Sequence, residues 1–440
     1  MLASSKQIQP RIRLCAPSPC FKTGPVSTAA FVDANREVDV PNEPNATNPS
    51  GGGSFTALLP IMAVVSIAFL IIGFALPVLP LHVHHGLGLS TFVVGLVTGS
   101  QFAASLFSRV SAGRYADGRG AKRAVVMGLV AAIISGLLYL ASLAFAGAPW
   151  ASVSVLLAGR ALLGGAESFI ITGAAAWGFA LAGPRNAGRV IAWVGMAMFA
   201  AMALGAPVGT ALYATGGFAA VAAATTLVPI ATLAIVAPLR PVSSVRGRPA
   251  GFRQVAGAVW LPGFGSALCS IGFGAILAFG PLLASERGWT PVWLPFGAFA
   301  LALVAARLFL GHVPDRLGGA RVALACVLVE ALGLALMWSA PGRVVAAVGA
   351  ALTGFGYSLV YPGLGAEAVR RAPPQSGGLA MGAYTVFLDV ALGFGSPALG
   401  LIAGWRGLGA VFVASAVIVF CAAAVTVRLL MTSLPRNEPS

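Results

Sequence analysis

Arg109-Val-Ser-Ala-Gly113-Arg-Tyr-Ala-Asp117-Gly-Arg-Gly120-Ala-Lys-Arg123 returns 198 residues later as Arg307-Leu-Phe-Leu-Gly311-His-Val-Pro-Asp315-Arg-Leu-Gly318-Gly-Ala-Arg321. Arg, Gly, Asp, Gly and Arg keep one spacing in both copies. Chance identities are common in Gly- and Ala-rich sequence, but five at one offset, three of them charged, are not. Further along, Gly164 matches Gly354, Ser168 matches Ser358, Pro184 matches Pro374, and Gly205-x-Pro207 matches Gly395-x-Pro397. These pairs are offset by 190, so the second copy is eight residues shorter in between. The chain therefore reads as two related halves.

Each motif copy is a polar island between long apolar runs. Of 440 residues, 58% are hydrophobic and 9% charged, whereas soluble domains carry about a quarter charged residues. A soluble core of this size would need a charged coat that the sequence lacks, so lipid is the expected solvent. A bilayer span takes about 20 apolar residues. Twelve are expected, near 56–80, 91–113, 123–146, 152–180, 188–213, 217–239, 255–284, 291–312, 322–340, 344–366, 379–403 and 408–431. They divide into an N-terminal six-helix bundle (55–239), a basic cytoplasmic linker (240–254) and a C-terminal six-helix bundle (255–431). Residues 432–440 form a cytoplasmic tail. Residues 1–54, rich in Pro, Ser and Asn, read as a disordered cytoplasmic tail or as an over-extended start. Asp33, Glu37, Asp39 and Glu43 argue against a transit peptide.

The net charge of +15 does not form one patch for nucleic acid. With the N-terminus inside, the five inner loops hold fourteen Lys and Arg, from Arg114 to Arg371. The six outer loops hold Arg287, Arg343 and Arg406. This positive-inside bias places both termini in the cytoplasm.

The stretch Gly113 to Arg123, echoed at Gly311 to Arg321, resembles the loop between spans two and three of the major facilitator superfamily. Within it, Ser108 to Asp117, Gly205-Ala-Pro207, Phe355-Gly-Tyr-Ser-Leu-Val-Tyr-Pro362 and Thr385-Val-Phe-Leu-Asp389 resemble the YhhS/YfcJ-type bacterial subgroup. The resemblance covers nearly everything after residue 55. It implies an all-α membrane protein whose two pseudo-symmetric bundles rock about a central cavity, at home in a bacterial inner membrane. It also implies a gating latch: Gly113, Asp117, Arg119, Gly120 and Arg123, with Gly311, Asp315, Gly318 and Arg321 in the second copy. In that latch Asp117 meets the N-terminal end of span eleven, where the helix dipole favours an anion. The alternative is a solvated turn with an N-capping Asp.

Ionisable groups inside spans are costly and are functional candidates by default. Arg160 and Glu167 lie seven residues apart on one face of span four. The resemblance implies proton coupling for Arg160; a structural pair is the alternative. Asp389 sits near the middle of span eleven with no basic residue in its own span, an arrangement suited to taking up and releasing protons. A protonated Asp bonded to a neighbouring helix is the other reading. Glu330 lies in span nine, which the resemblance makes peripheral. Arg109 and Arg307 lie near span ends, where long side chains snorkel. Gln101, Ser168, Thr172, Trp177, Trp193, Tyr357, Tyr361 and Tyr384 are candidates for an amphipathic cavity lining. Pro77, Pro80, Pro207 and Pro397 interrupt helix hydrogen bonding and permit bending. Gly205-Ala-Pro207 resembles the span-five motif of antiporters, with Ala206 and Met202 where glycines are usual.

Five cysteines show no metal or disulfide spacing. His82, His84 and His85 cluster at the outer end of span one, an arrangement more often incidental than metal-binding, and no metal or cofactor is expected. Lys6, Lys22 and Lys122 are the only lysines, and none stands in a Gly-x4-Gly-Lys-Ser/Thr phosphate loop, so ATP is not the expected energy source. The expected activity is proton-coupled export of a small organic molecule by a chain working as a monomer, not an enzyme. Proton-coupled uptake of a sugar or organic acid is the main alternative. A transport-dead receptor and a membrane-embedded enzyme are more distant ones.

Overall fold

Small residues at close helix contacts set the architecture. Lipid is as apolar as Leu, so helices in a bilayer associate by packing and polar bonds rather than by the hydrophobic effect. The computed structural model describes residues 53–182, 187–239, 241, 252–373 and 377–433. The expectations for the N-terminal tail, the basic linker, the C-terminal tail, Pro184 and Pro374 fall mostly or wholly outside these residues.

The elements are α1 (Gly53–Leu81), a π-turn (His82–Gly86), α2 (Thr91–Arg119), α3 (Ala121–Leu143), α4 (Pro149–Ala182), α5 (Ala187–Val236), α6 (Phe252–Glu286), α7 (Leu294–Leu310), α8 (Val313–Leu317), α9 (Gly319–Ser339), α10 (Arg343–Arg371), α11 (Gly377–Arg406) and α12 (Leu408–Ser433). Among the described residues, ten helices are long and apolar enough to cross a bilayer. Two features reconcile ten with twelve. First, α5 is two helices joined at Gly216–Gly217, where the backbone leaves helical geometry and Gly217 has φ +61°. Its first arm runs parallel to α1, with Gly205 on Gly73 and Gly209 on Phe74. Its second arm runs antiparallel to α3, with Phe218 beside Tyr139 and Thr226 against Gly136. Second, α7 has 17 apolar residues and is followed across Gly311-His312 by the short α8.

The repeat extends from sequence to contacts. Gly164 lies on the Gln101 backbone, and Gly354 on the Phe299 backbone. The Ser168 hydroxyl donates to the Ser105 carbonyl, and the Ser358 hydroxyl to the Leu303 carbonyl. Gly205 meets Gly73, and Gly395 meets Ile271. Every pair follows the offsets of 198 for α2 and α7 and 190 for α4 and α10 or α5 and α11. The motif glycines share a reason as well. Gly120 (φ +97°) and Gly318 (φ +89°) end one helix and start the next in a left-handed conformation that suits glycine.

The halves meet along α2 with α11, α5 with α7, and α1 with α6. Residues 71–83 of α1 and the π-turn, and 272–284 of α6, are buried without exception. Toward the end of the molecule that carries the Arg-rich connections, both helices expose residues. One end is sealed and the basic end is open.

Candidate functional site

A line of polar side chains crosses the molecule between the sealed end and the basic opening. In the first half it is built on α2 and α4. A Cβ on Gly164 would stand 1.9 Å from the Gln101 carbonyl oxygen, so the missing side chain lets the two helices touch. That contact places Gln101 Nε2 2.7 Å from Glu167 Oε2, to which it donates. One turn nearer the basic end, the Ser168 hydroxyl lies 2.9 Å from those of both Ser105 and Ser108. Arg160 is 1% exposed; its Nε donates to the Val97 carbonyl at 3.2 Å, and its Nη1 has no partner. Arg160 and Glu167 share a face but form no ion pair, because Val97 and Gln101 take their bonds.

One turn beyond Ser105, Arg109 crosses to the other half. Its Nε and Nη2 donate to the two carboxylate oxygens of Asp389 on α11, the second at 2.8 Å. This corrects two expectations. Asp389 is not unpaired, and Arg109 does not reach for the bilayer surface. The cause is the tight packing of α2 on α11, where Gly95 and Gly99 lie against Ser396, Pro397 and Gly393. Among the described residues this is the one ion pair that joins the halves; the other two link Glu367 to Arg370 and Arg371 within α10. Glu167 stands within electrostatic reach of both Arg109 and Asp389.

The second half continues the line with aromatic groups. Tyr357, Tyr361 and Tyr384 form a ladder with ring centroids 6.5 Å and 5.1 Å apart. Tyr361 bonds Thr385 at 3.1 Å, and the Tyr384 hydroxyl donates to the Tyr361 carbonyl at 2.8 Å. Phe273 stacks on Phe299 and Tyr357. Tyr361 lies within electrostatic reach of Arg109, Asp389 and Arg307, so it joins the two parts. Arg307 does not snorkel either: its guanidinium lies 5.5 Å from the centre of the Phe199 ring on α5.

Of the expected lining residues, Gln101, Ser168, Tyr357, Tyr361 and Tyr384 belong to this line. Thr172 is half-buried on α4, Trp177 is in the apolar core, and Trp193 is half-buried on α5. Pro207 and Pro397 lie inside α5 and α11, while Pro77 and Pro80 close α1. Among the gating residues, Asp117 lies in the last turn of α2 and does not cap α3, whose N-cap is Gly120. Arg119 lies over Tyr115, and Arg123 is exposed. Asp315 is in α8. Lys122 donates to the Ala237 and Leu239 carbonyls, capping the end of α5. His82 stacks on Phe218 at 4.0 Å, and the His84 ring bonds the Leu89 carbonyl. Glu330 on α9 is fully buried within the second half, among α6, α10 and α12, both carboxylate oxygens without a partner among the described residues.

Residues 61–318 and 263–440 match the family model of the Major Facilitator Superfamily. The chain is 43% identical over 374 residues to "Uncharacterized MFS-type transporter STM4428" of Salmonella typhimurium, covering 85% of this chain and 96% of that one. It is 41% identical over 362 residues to "Uncharacterized MFS-type transporter YhhS" of Escherichia coli K12, covering 82% and 89%. Among solved structures, a D-xylose-proton symporter shares the fold at TM-score 0.69 and 14% identity, over 86% of this chain and 98% of that one. A bacterial homologue of the lysosomal transporter Spinster, in an inward-facing conformation, does so at 0.66 and 15%, over 89% and 100%. With repeat-related bundles, a charged pair joining them and this similarity over nearly the whole helical region, the chain belongs to the Major Facilitator Superfamily.

Proposed function

We propose that the protein is a proton-coupled secondary transporter that exports a small organic molecule across the bacterial inner membrane by alternating access. It works as a monomer with both termini in the cytoplasm. The observation that carries this reading is the Arg109–Asp389 pair between α2 and α11. When Asp389 is ionised, the pair is a bidentate charge-assisted bond holding the halves together. Protonating Asp389 removes the counter-charge and leaves the half-buried Arg109 beside Glu167. Removing one partner of a buried pair costs about 3–5 kcal/mol, enough to bias a two-state element by a large factor. Arg109 then turns toward Glu167, the α2–α11 seam loosens, and the proton's arrival becomes a shape change. Arg160, behind Glu167, holds the carboxylate side of that exchange.

The positive-inside bias makes the basic opening cytoplasmic, the side from which an exporter loads. Gly205-Ala-Pro207, packed on α1, adds the resemblance to antiporters. In this scheme Asp117, Arg119 and Arg123, with Asp315 on the second copy, latch the cytoplasmic side in one state of the cycle.

The test uses everted vesicles and a ligand found by thermal-shift screening of metabolites and drugs. Adding that ligand is expected to dissipate an imposed proton gradient in wild-type vesicles. Asp389→Asn, which cannot ionise, is expected to lose that response by about tenfold or more, while ligand exchange without a gradient survives. Undiminished gradient-driven transport by Asp389→Asn across pH would remove the proton role of Asp389. Accumulation by right-side-out cells with inward proton flow would assign uptake instead.

A further inference from the structure

The internal repeat makes each half a control for the other. In the first half Arg109 lies between two carboxylates: Asp389 is its partner, and Glu167 is within electrostatic reach. The offset of 198 carries Arg109 to Arg307. The offset of 190 carries Glu167 to Tyr357, and relates Asp389 to Phe199. The structure preserves these relations: Arg307 lies over Phe199 and within electrostatic reach of Tyr357, as Arg109 lies on Asp389 and near Glu167. The cation is kept and both carboxylates are replaced by aromatic rings.

Arg307 is thereby left uncompensated. Its Nε is buried without a partner. Its Nη2 has one long bond, 3.4 Å, to the Ser358 carbonyl. Among the described residues it forms no ion pair, whereas a guanidinium offers five donors. Gly195 faces it, and a Cβ there would stand 3.0 Å from Nη1, so the missing side chain leaves room beside the fork. The site is on the open side of the sealed segment, between α5 of one half and α7 and α10 of the other. A charge held away from water is costly unless it is paired, and among the described residues no carboxylate supplies the counter-charge to the half-buried Arg307. Beside the guanidinium, Tyr361 is half-buried, while Phe199 lies under Arg307 and Tyr357 is stacked against Phe273.

We propose that Arg307 is the anion-binding residue of the cargo site, and that the cargo is a small organic carboxylate with an aromatic body. The carboxylate takes the guanidinium fork bidentately, and the ring packs against Tyr361 at the edge of this aromatic cluster. Binding lets the ligand join the two halves at Arg307 as Asp389 joins them at Arg109. This rests on the transport reading above and names its substrate class.

The test is direct binding to purified protein in detergent, read by isothermal titration. The probes are phenylacetate, 4-hydroxybenzoate and indole-3-acetate, with phenylacetamide as the neutral isostere. At least one carboxylate is expected to bind, with phenylacetamide about tenfold weaker or more. Arg307→Gln is expected to lose carboxylate binding by a similar factor, and Arg307→Lys to keep part of it. Tyr361→Leu is expected to weaken all the aromatic probes. Unchanged melting temperature and monodispersity establish that Arg307→Gln is folded; if it is not, the phenylacetate to phenylacetamide ratio in wild type decides alone. Equal binding by wild type and folded Arg307→Gln overturns the proposal, as does no binding of any carboxylate or equal binding of phenylacetamide. Proton coupling is read separately: binding through Arg307 alongside gradient-independent flux would sink the coupling scheme and leave this site standing.

Discussion

Arg109 and Glu330 show how differently two ionisable side chains inside spans are held. Arg109 is anchored by two bonds to Asp389, so its cost of burial is offset. Glu330 has no such partner on either oxygen and is surrounded by Gly272, Leu334, Val419 and Cys326. An unsatisfied buried acceptor costs about 1–3 kcal/mol. Replacing it with an apolar side chain of similar length removes that cost. Glu330→Met is therefore expected to raise the thermal unfolding midpoint in detergent, by a free energy of that order. A lower midpoint would mean that Glu330 has a stabilising role the structure does not display. The residue scale is also where the sequence was least informative. Asp389 and Glu167 were legible because carboxylates are rare in spans. Arg109 was not, since its partner is 280 positions away and nothing local distinguishes a cross-bundle Arg from one that snorkels. The repeat held the missing signal: a motif Arg kept in both halves, with a carboxylate at only one of the related positions on α5 and α11.

At the scale of elements, adjacent glycines on α4 separate packing from propensity. Gly164 lies on the Gln101 backbone, whereas a Cβ on Gly165 meets nothing within 4 Å. Gly164→Ala forces α2 and α4 apart, costing about 1–3 kcal/mol as overpacking does, and pulls Gln101 from Glu167. Gly165→Ala meets no obstacle and gains up to about 0.5–1 kcal/mol, the usual advantage of Ala over Gly in a helix. Thermal unfolding of the two variants should move in opposite directions; a shared direction would mean that the α2–α4 contact is not what Gly164 provides. Element types were legible because apolar runs of span length have few alternatives in a chain with so little charge. Element joints were less so. The spans expected near 188–213 and 217–239 meet at a tight kink at Gly216-Gly217 in otherwise continuous helix. The span expected near 91–113 stops short of Asp117, yet α2 runs on through Arg119 until Gly120 takes a left-handed conformation. Polar residues end an apolar run without ending the helix that carries it.

At the scale of the whole molecule, burial is polarised along α1 and α6, and the repeat makes it so twice. Residues 71–83 and 272–284 occupy corresponding places in the two halves and are buried on every face. The opposite ends of the same helices carry exposed residues. In the proposed cycle, rocking of the bundles exchanges the two conditions, so chemical accessibility would report the state directly. In a variant whose native cysteines are replaced by serine, Thr385→Cys is expected to react with a membrane-impermeant maleimide, because Thr385 is half-buried beside the opening. Ala275→Cys and Ala278→Cys are expected to be silent, both alanines being fully enclosed. Vesicle orientation adds the topological reading. With the basic end in the cytoplasm, Thr385→Cys labels in everted vesicles and is protected in right-side-out ones. Labelling only from the right-side-out face would invert the topology that the loop charges imply, and with it the side from which Arg307 is reached. Labelling of Ala275→Cys or Ala278→Cys on imposing a proton gradient, with loss of labelling at Thr385→Cys, is the signature of the alternating cycle. Simultaneous labelling at both levels would instead describe a channel, which the continuous burial of both central helices argues against.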